Sequence, residues 1–319
     1  MKRFKNILCV LPVGQAATGT LERAVSLAEN NQATLTVAAL LPQTTAGGDA
    51  RAGGPIAATK AIEALIGPLP TRIAIQPAVL TGIAFLEIIR AVLRHGHDLV
   101  IKPAQPLDLI DRLFGSDDMH LLRKCPCAVW LTKDDERANY RSILAAVDPE
   151  QSGQAGQADP ADQTGDGASL HQRIIELASS LALSDFARLH IVHAWDAVGD
   201  MTIRTWSDNP TADSVAYLEA EQARHQQAMR RIEQALRAGV GEDAYRYLAP
   251  TFHLLRGPAT RVVPAAANDF DADLVVMGTV GRTGIAGLFI GNTAETILNQ
   301  LRCSVLAIKP VGFVTPVTL

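Results

Sequence analysis

The chain contains the same sequence pattern twice. Gly115 to Thr132 (GSDDMHLLRKCPCAVWLT) lies on Gly291 to Ile308 (GNTAETILNQLRCSVLAI) without a gap, which puts Cys127 on Cys303 and Val129 on Val305. Upstream of these, Asn6-Ile7-Leu8-Cys9-Val10 matches Ser142-Ile143-Leu144-Ala145-Ala146, and His97-Asp98-Leu99-Val100-Ile101 matches Ala272-Asp273-Leu274-Val275-Val276. Three matches in one order indicate two homologous domains, and 319 residues are enough for each to bury its own core. The charged stretch 133–139 (KDDERAN) has no apolar period. It marks the boundary, with domains expected at residues 1–134 and 140–312.

Each half alternates strand and helix patterns. In the first, Ile7–Leu11, Ala33–Leu41, Leu99–Ile101 and Ala128–Leu131 read as strands. Leu21–Asn30, with Thr20 as its expected N-cap, and Ile83–Arg94 read as amphipathic helices. The second half repeats the plan with strands Ile143–Val147, Arg188–His193, His253–Leu255, Leu274–Met277 and Val305–Ile308. Its helices are Leu170–Leu183, a long Val215–Arg237 and Ala259–Asn268. Strands that are apolar throughout and separated by helices imply parallel sheets covered on both faces. The fold class is therefore α/β, two tandem doubly wound, Rossmann-like domains that take ligands at the carboxyl ends of their strands. Two insertions mark the second half. Gln151–Ser169 reads as a polar loop, and Ala197–Asp213, with Trp206 and Pro210, reads as a flap over the ligand edge. The closing strands, Val129–Leu131 and Val305–Ile308, are expected to pair as an intrachain pseudo-dimer, because an apolar edge strand seeks a partner and a tethered copy supplies one. A homodimer of the whole chain is left open.

Composition narrows the function classes. A net charge of −4, a pI near 6.1 and no basic run argue against sequence-independent nucleic-acid binding. No apolar stretch approaches the ~20 residues that span a bilayer, and the apolar start Ile7 to Val13 reads as a buried strand, so a cytoplasmic location is expected. Cys9 and Cys303 sit in strand patterns as small hydrophobes. Cys125-Pro126-Cys127 has no second pair nearby, so no metal site is expected. Sequences for a P-loop, a GxSxG elbow or HExxH are missing, and His190 and His193 fall on opposite faces of a strand. No catalytic residue is assigned. Arg224, His225, Arg230 and Arg231 read as a solvated helix face.

The chemistry concentrates after the strand Leu274–Met277, in GTVGRTGIAGLFIGNT (residues 278–293). Gly278 and Gly281 allow a tight turn and close backbone approach to a ligand. Gly291-Asn292-Thr293 opens a helix, whose free N–H groups and positive dipole end suit a phosphate. Arg282 adds charge, and Asn292 and Thr293 add polar caps. A glycine-rich turn before an ordinary capped helix has the same look.

The spacing Gly278-x2-Gly281-x9-Gly291, the flanking VVMG and LRCSVLAIKP, and the duplication together resemble the universal stress protein family, its tandem-domain branch in particular. The resemblance implies a stress-response protein that binds ATP or a related adenine nucleotide, with or without Mg2+, through Gly278, Gly281, Arg282, Gly291, Asn292 and Thr293. Family members that bind ATP usually carry Ser or Thr where this chain has Asn292. The resemblance also puts an acidic residue after the first strand, here Asp148, toward the adenosine, with the backbone at His193-Ala194 along the adenine. In the first domain the same positions read Lys102-x2-Gln105-x9-Gly115-Ser116, and Pro12 replaces the acid. That domain is read as degenerate. Lys102, Arg112 and His120 could meet an anion, and a solvated loop accounts for them more simply. The expected activity is ligand sensing rather than catalysis, with slow ATP hydrolysis left open. The alternatives are a module for a lipid or other non-nucleotide ligand, walled by Val215–Arg237 and Ala197–Asp213, a nucleotide-processing enzyme, and a docking protein.

Overall fold

The computed structural model describes residues 4–12, 18–41, 54–105, 114–133, 137, 139–149, 170–279 and 291–319. The first repeat runs β1 (Asn6–Pro12), α1 (Thr18–Asn31), β2 (Thr34–Leu41), α2 (Pro55–Ile66), β3 (Ile75–Thr81), α3 (Ala84–His95), β4 (Leu99–Pro103), α4 (Ser116–Lys124) and β5 (Ala128–Thr132). The second runs β6 (Ser142–Ala146), α5 (Leu170–Asp185), β7 (Arg188–Trp195), α6 (Asp200–Trp206), α7 (Pro210–Val240), α8 (Glu242–Leu248), β8 (Thr251–Arg256), α9 (Ala259–Asp269), β9 (Leu274–Gly278), α10 (Asn292–Leu298) and β10 (Ser304–Ile308).

All the strands form one ten-stranded sheet in the order β3-β2-β1-β4-β5-β10-β9-β6-β7-β8. Pairing is parallel within each repeat and antiparallel at the seam, where Leu131 faces Val305 and Trp130 faces Leu306. This is the intrachain pairing expected of two tethered edge strands. Strand alternation divides the core in two. Ile7, Cys9 and Leu11 point to the face covered by α1, α2, α5 and α7, and Leu8 and Val10 to the face covered by α3, α4, α9 and α10. Burial pushes the Cys9 thiol up to about 12, as expected of a thiol that serves as a hydrophobe.

The duplication extends to backbone conformation. Gln32 and Phe186 occupy matching left-handed positions before β2 and β7, with φ of 53° and 58°. Gly96 and Asp271 do the same before β4 and β9, with φ of 65° and 47°. Polar contacts lock the repeats together beyond the strand seam. Arg23 of α1 donates from Nη1 to Asp185 of α5 at 2.7 Å and lies 4.0 Å over the Tyr140 ring. Asp185 also accepts the Tyr140 N–H, and Trp130 Nε1 donates to the Tyr140 hydroxyl. Arg123 of α4 pairs with Glu295 of α10.

Some elements differ from the sequence reading. α1 begins two residues before Thr20, so Thr20 is not a cap; its hydroxyl is buried against Thr132 Oγ1 at 2.7 Å. The helix α2 and edge strand β3, where Pro77 interrupts the pattern, have no counterpart in that reading. Ala197–Asp213 folds largely as helix α6 and the start of α7, with Trp206 82% exposed. Gln151–Ser169 lies outside the described residues.

Candidate functional site

In the second repeat, β6 lies between β9 and β7. The chain winds outward from β6 in both directions, so the switch point, where sheets of this class have their ligand crevice, lies at the carboxyl ends of β6 and β9. The register aligns Ala146 with Met277. Asp148, two residues beyond Ala146, therefore emerges beside Thr279, two residues beyond Met277. Gly291, the N-cap residue of α10, donates its N–H to the Thr279 carbonyl at 2.9 Å, which holds Thr279 and Gly291, the residues that flank 280–290, together at this edge. Asn292 and Thr293 are exposed in the first turn of α10. The fold thus brings Asp148, Gly278, Gly291, Asn292 and Thr293 to one edge. Gly281 and Arg282 lie outside the described residues.

Two features of β9 sharpen the sequence reading. A Cβ on Gly278 would lie 2.7 Å from Leu170 Cδ2, so the room this glycine leaves is filled by the first residue of α5. Thr279 is fully buried, and its hydroxyl has no hydrogen-bond partner among the described residues. A buried unpaired hydroxyl costs about 1–3 kcal/mol, so an acceptor or donor brought to this edge would be stabilised by it. Lys102 is the first-repeat counterpart of Gly278, and Pro103 stands where Thr279 does.

A buried imidazole pair lies beside the crevice. His193 of β7 meets the Val147 carbonyl through Nδ1 at 3.2 Å and His225 Nδ1 of α7 through Nε2 at 2.9 Å. A carbonyl only accepts, so His193 donates from Nδ1; in the neutral ring its Nε2 then accepts from His225. The pair ties α7 to the backbone just before Asp148. His225 is 3% exposed, which corrects its reading as part of a solvated face. The signal was present in the sequence: His225, Met229, Ile232 and Leu236 recur at i, i+4, i+7 and i+11, the buried stripe of α7. His190 lies on the other face of β7, against His253 at 3.1 Å and stacked on Phe270. Burial and the neighbouring His253 hold His190 below the usual histidine range. Among the described residues, no cluster of three His, Cys, Asp or Glu side chains could hold a metal ion.

The corresponding edge of the first repeat is filled from within. Lys102 is 5% exposed and donates from Nζ to Asp118 Oδ1 at 2.5 Å and to the Pro103 carbonyl at 2.8 Å. Asp118 is fully buried and accepts also from the backbone N–H groups of Gln105 and Gly115. The Gln105 carbonyl closes over Gly115, where a Cβ would come within 2.9 Å of it. Lys102 is therefore neither in a solvated loop nor available to an external anion, because Asp118 neutralises it internally. His120 stacks on Phe85 with ring centroids 4.8 Å apart, and Arg112 lies outside the described residues.

Comparison with known proteins agrees with this architecture. The model of the universal stress protein family matches residues 3–133 and 160–309. Universal stress protein E of Escherichia coli is 34% identical over 237 residues, 74% of this chain and 68% of that protein. A homologue of universal stress protein E from Haemophilus influenzae is 30% identical over 68% of this chain and 63% of its own length. Among solved structures, a putative universal stress protein from Pseudomonas aeruginosa superposes with a TM-score of 0.67 at 27% identity, covering 96% of this chain and 94% of that one. A universal stress protein from Archaeoglobus fulgidus, at 16% identity and a TM-score of 0.55 over 95% of this chain and 98% of its own, shares the fold. With its duplicated sheet, its loop between β9 and α10 and these matches over both repeats, the chain belongs to the universal stress protein family.

Proposed function

We propose that the second repeat is a cytoplasmic adenine-nucleotide sensor. ATP, with Mg2+ where a divalent ion accompanies it, would lie across the crevice between β6 and β9. Backbone N–H groups of loop 280–290 and the start of α10 would meet the phosphates, with Arg282, Asn292 and Thr293 around them. Asp148 would accept from the ribose hydroxyls, and the end of β7 at His193-Ala194 would border the base. The observation that carries this reading is the shared edge: Asp148 and both anchors of the glycine-rich loop converge at the switch point of the sheet. The Thr279 hydroxyl, without a partner among the described residues, suits a phosphate oxygen as acceptor. The first repeat would not bind a nucleotide, because Lys102 and Asp118 occupy its edge. The role is sensing rather than turnover, with the bound state read by a partner in the stress response.

Photolabelling with 8-azido-ATP, followed by peptide mapping, tests the placement. Label on peptides containing Val147–Pro149 or His193–Asp196, and competition by ATP, is the expected result. Label confined to the first repeat would overturn it.

One observation favours a second reading, a non-nucleotide apolar ligand. α5 and α7 enclose a cleft of about 520 Å3 lined by Ile175, Ile232, Leu236 and Val240, with Arg231 and His171 among its polar groups. An apolar compound that copurifies with the chain, combined with no ATP labelling, would select that reading.

A further inference from the structure

The sequence has no basic run, yet the fold assembles a basic cavity. At the amino ends of β6, β7 and β10, on the edge of the second repeat opposite its glycine loop, Arg141, Arg188 and Arg302 line a cavity of about 450 Å3. Lys133 and Arg137, from the stretch joining the repeats, line it too, giving five cations beside two carboxylates, Asp271 and Asp273. Asp273 is already engaged, since it accepts the N–H groups of Arg141 and Ser142 at 2.7 and 3.1 Å and meets Arg137 Nη1 at 3.4 Å.

The internal duplication provides a control. Ser142 pairs with Arg188 where the first repeat pairs Asn6 with Thr34, and Arg302 aligns on Pro126. The first repeat forms the same sheet without these two guanidinium groups, so the fold does not require them. The equivalent edge of the first repeat holds its matching lysine differently. Lys309, the counterpart of Lys133, is buried there, donates to the Leu122 carbonyl at 2.6 Å and lies under the Phe313 ring at 4.6 Å. Lys133, by contrast, lines the open cavity of the second repeat.

We propose that this cavity is a second ligand site, for a small anion carrying two or more phosphate groups, independent of the nucleotide crevice. Guanidinium forks match pairs of phosphate oxygens, and several cations around one cavity favour a multiply charged ligand over a single phosphate.

The test is isothermal titration of the full chain with sodium tripolyphosphate at low salt, in the Gly281→Glu background, so that the glycine loop does not contribute. One site is expected, weakened at least tenfold by Arg188→Thr with Arg302→Ala, weakened by added salt, and unchanged by Arg230→Ala with Arg231→Ala on α7. Orthophosphate should bind far more weakly. If the Arg188 and Arg302 double variant does not fold, Lys133→Ala replaces it, since the variant keeps the Lys133 backbone N–H that bonds to Ser304 Oγ in the seam. Binding that survives either variant overturns the proposal. Absence of heat in the Gly281→Glu protein also overturns it.

Discussion

Replacing Lys102 with methionine removes the cation from a fully buried carboxylate. At the observed 2.5 Å separation, the pair attracts by about 7 kcal/mol at an effective dielectric constant of 20. Desolvation of two buried ions opposes this by several kcal/mol each, so the intact pair adds little net stability. Removing the lysine loses the attraction together with that ion's own desolvation cost, and leaves the desolvation of Asp118 uncompensated. The Gln105 and Gly115 N–H groups still donate to Asp118, but they are dipoles and cannot neutralise it. The single variant should therefore lose about 3–5 kcal/mol. Lys102→Met combined with Asp118→Asn removes the charge and keeps an oxygen for the Gln105 N–H. It should lie within about 1 kcal/mol of the parent, a coupling of at least ~2 kcal/mol. Urea melts followed by circular dichroism and by tryptophan fluorescence measure both values, and coincident transitions justify the two-state treatment. A single variant that costs under ~1 kcal/mol, or a double variant that costs the sum of the singles, would refute the ion pair as the filler of this edge.

Other consequences follow from the same kind of contact. Arg23→Met leaves Asp185 buried without its cation and should cost about 3–5 kcal/mol in urea melts; a loss below ~1 kcal/mol would show that this ion pair adds little to holding the repeats together. Burial pulls Lys309 down to about 8, against 10.5 for the ordinary side chain. The unfolded chain then holds more protons between these values, so this group makes stability rise with pH across that window, by up to about 3 kcal/mol. The difference between Lys309 and Lys309→Met melts at pH 7 and pH 10.5, both measured with Cys125→Ala and Cys127→Ala because these thiols couple to the lysine, isolates the effect, and a constant difference would contradict it. Asp271→Gly, at a left-handed position where the first repeat has Gly96, should stabilise by about 0.5–1 kcal/mol; a lower Tm would show that the aspartate side chain matters there.

Much of the fold was legible because duplication and unbroken apolar strands are local signals. The match of residues 115–132 to 291–308 placed β5 and β10 as equivalent edges, and the seam joins those two strands. β3 escaped because it lies at the sheet edge, half-exposed and interrupted by Pro77, so neither apolar continuity nor clean alternation marked it. The glycine spacing around β9 and the acid after β6 were visible, but their juxtaposition depends on the strand order β9-β6, which no local pattern encodes. Lys102 read as a loop cation because its partner Asp118 lies sixteen residues away on another element. The cations of the basic cavity come from residues 133 to 302, so sequence proximity could not reveal them. His225 was legible in principle, in phase with the buried stripe of α7, but its polarity and the adjacent arginine masked that phase.

Isothermal titration of the chain with Mg-ATP, with and without Gly281→Glu, decides whether a single nucleotide crevice functions, in the second repeat. With the basic cavity removed in both proteins by Arg188→Thr and Arg302→Ala, one site per chain with micromolar affinity is expected without the Gly281→Glu change and no binding with it. In that background, two sites per chain, undiminished binding with Gly281→Glu, or no heat with either protein would contradict the single-crevice reading.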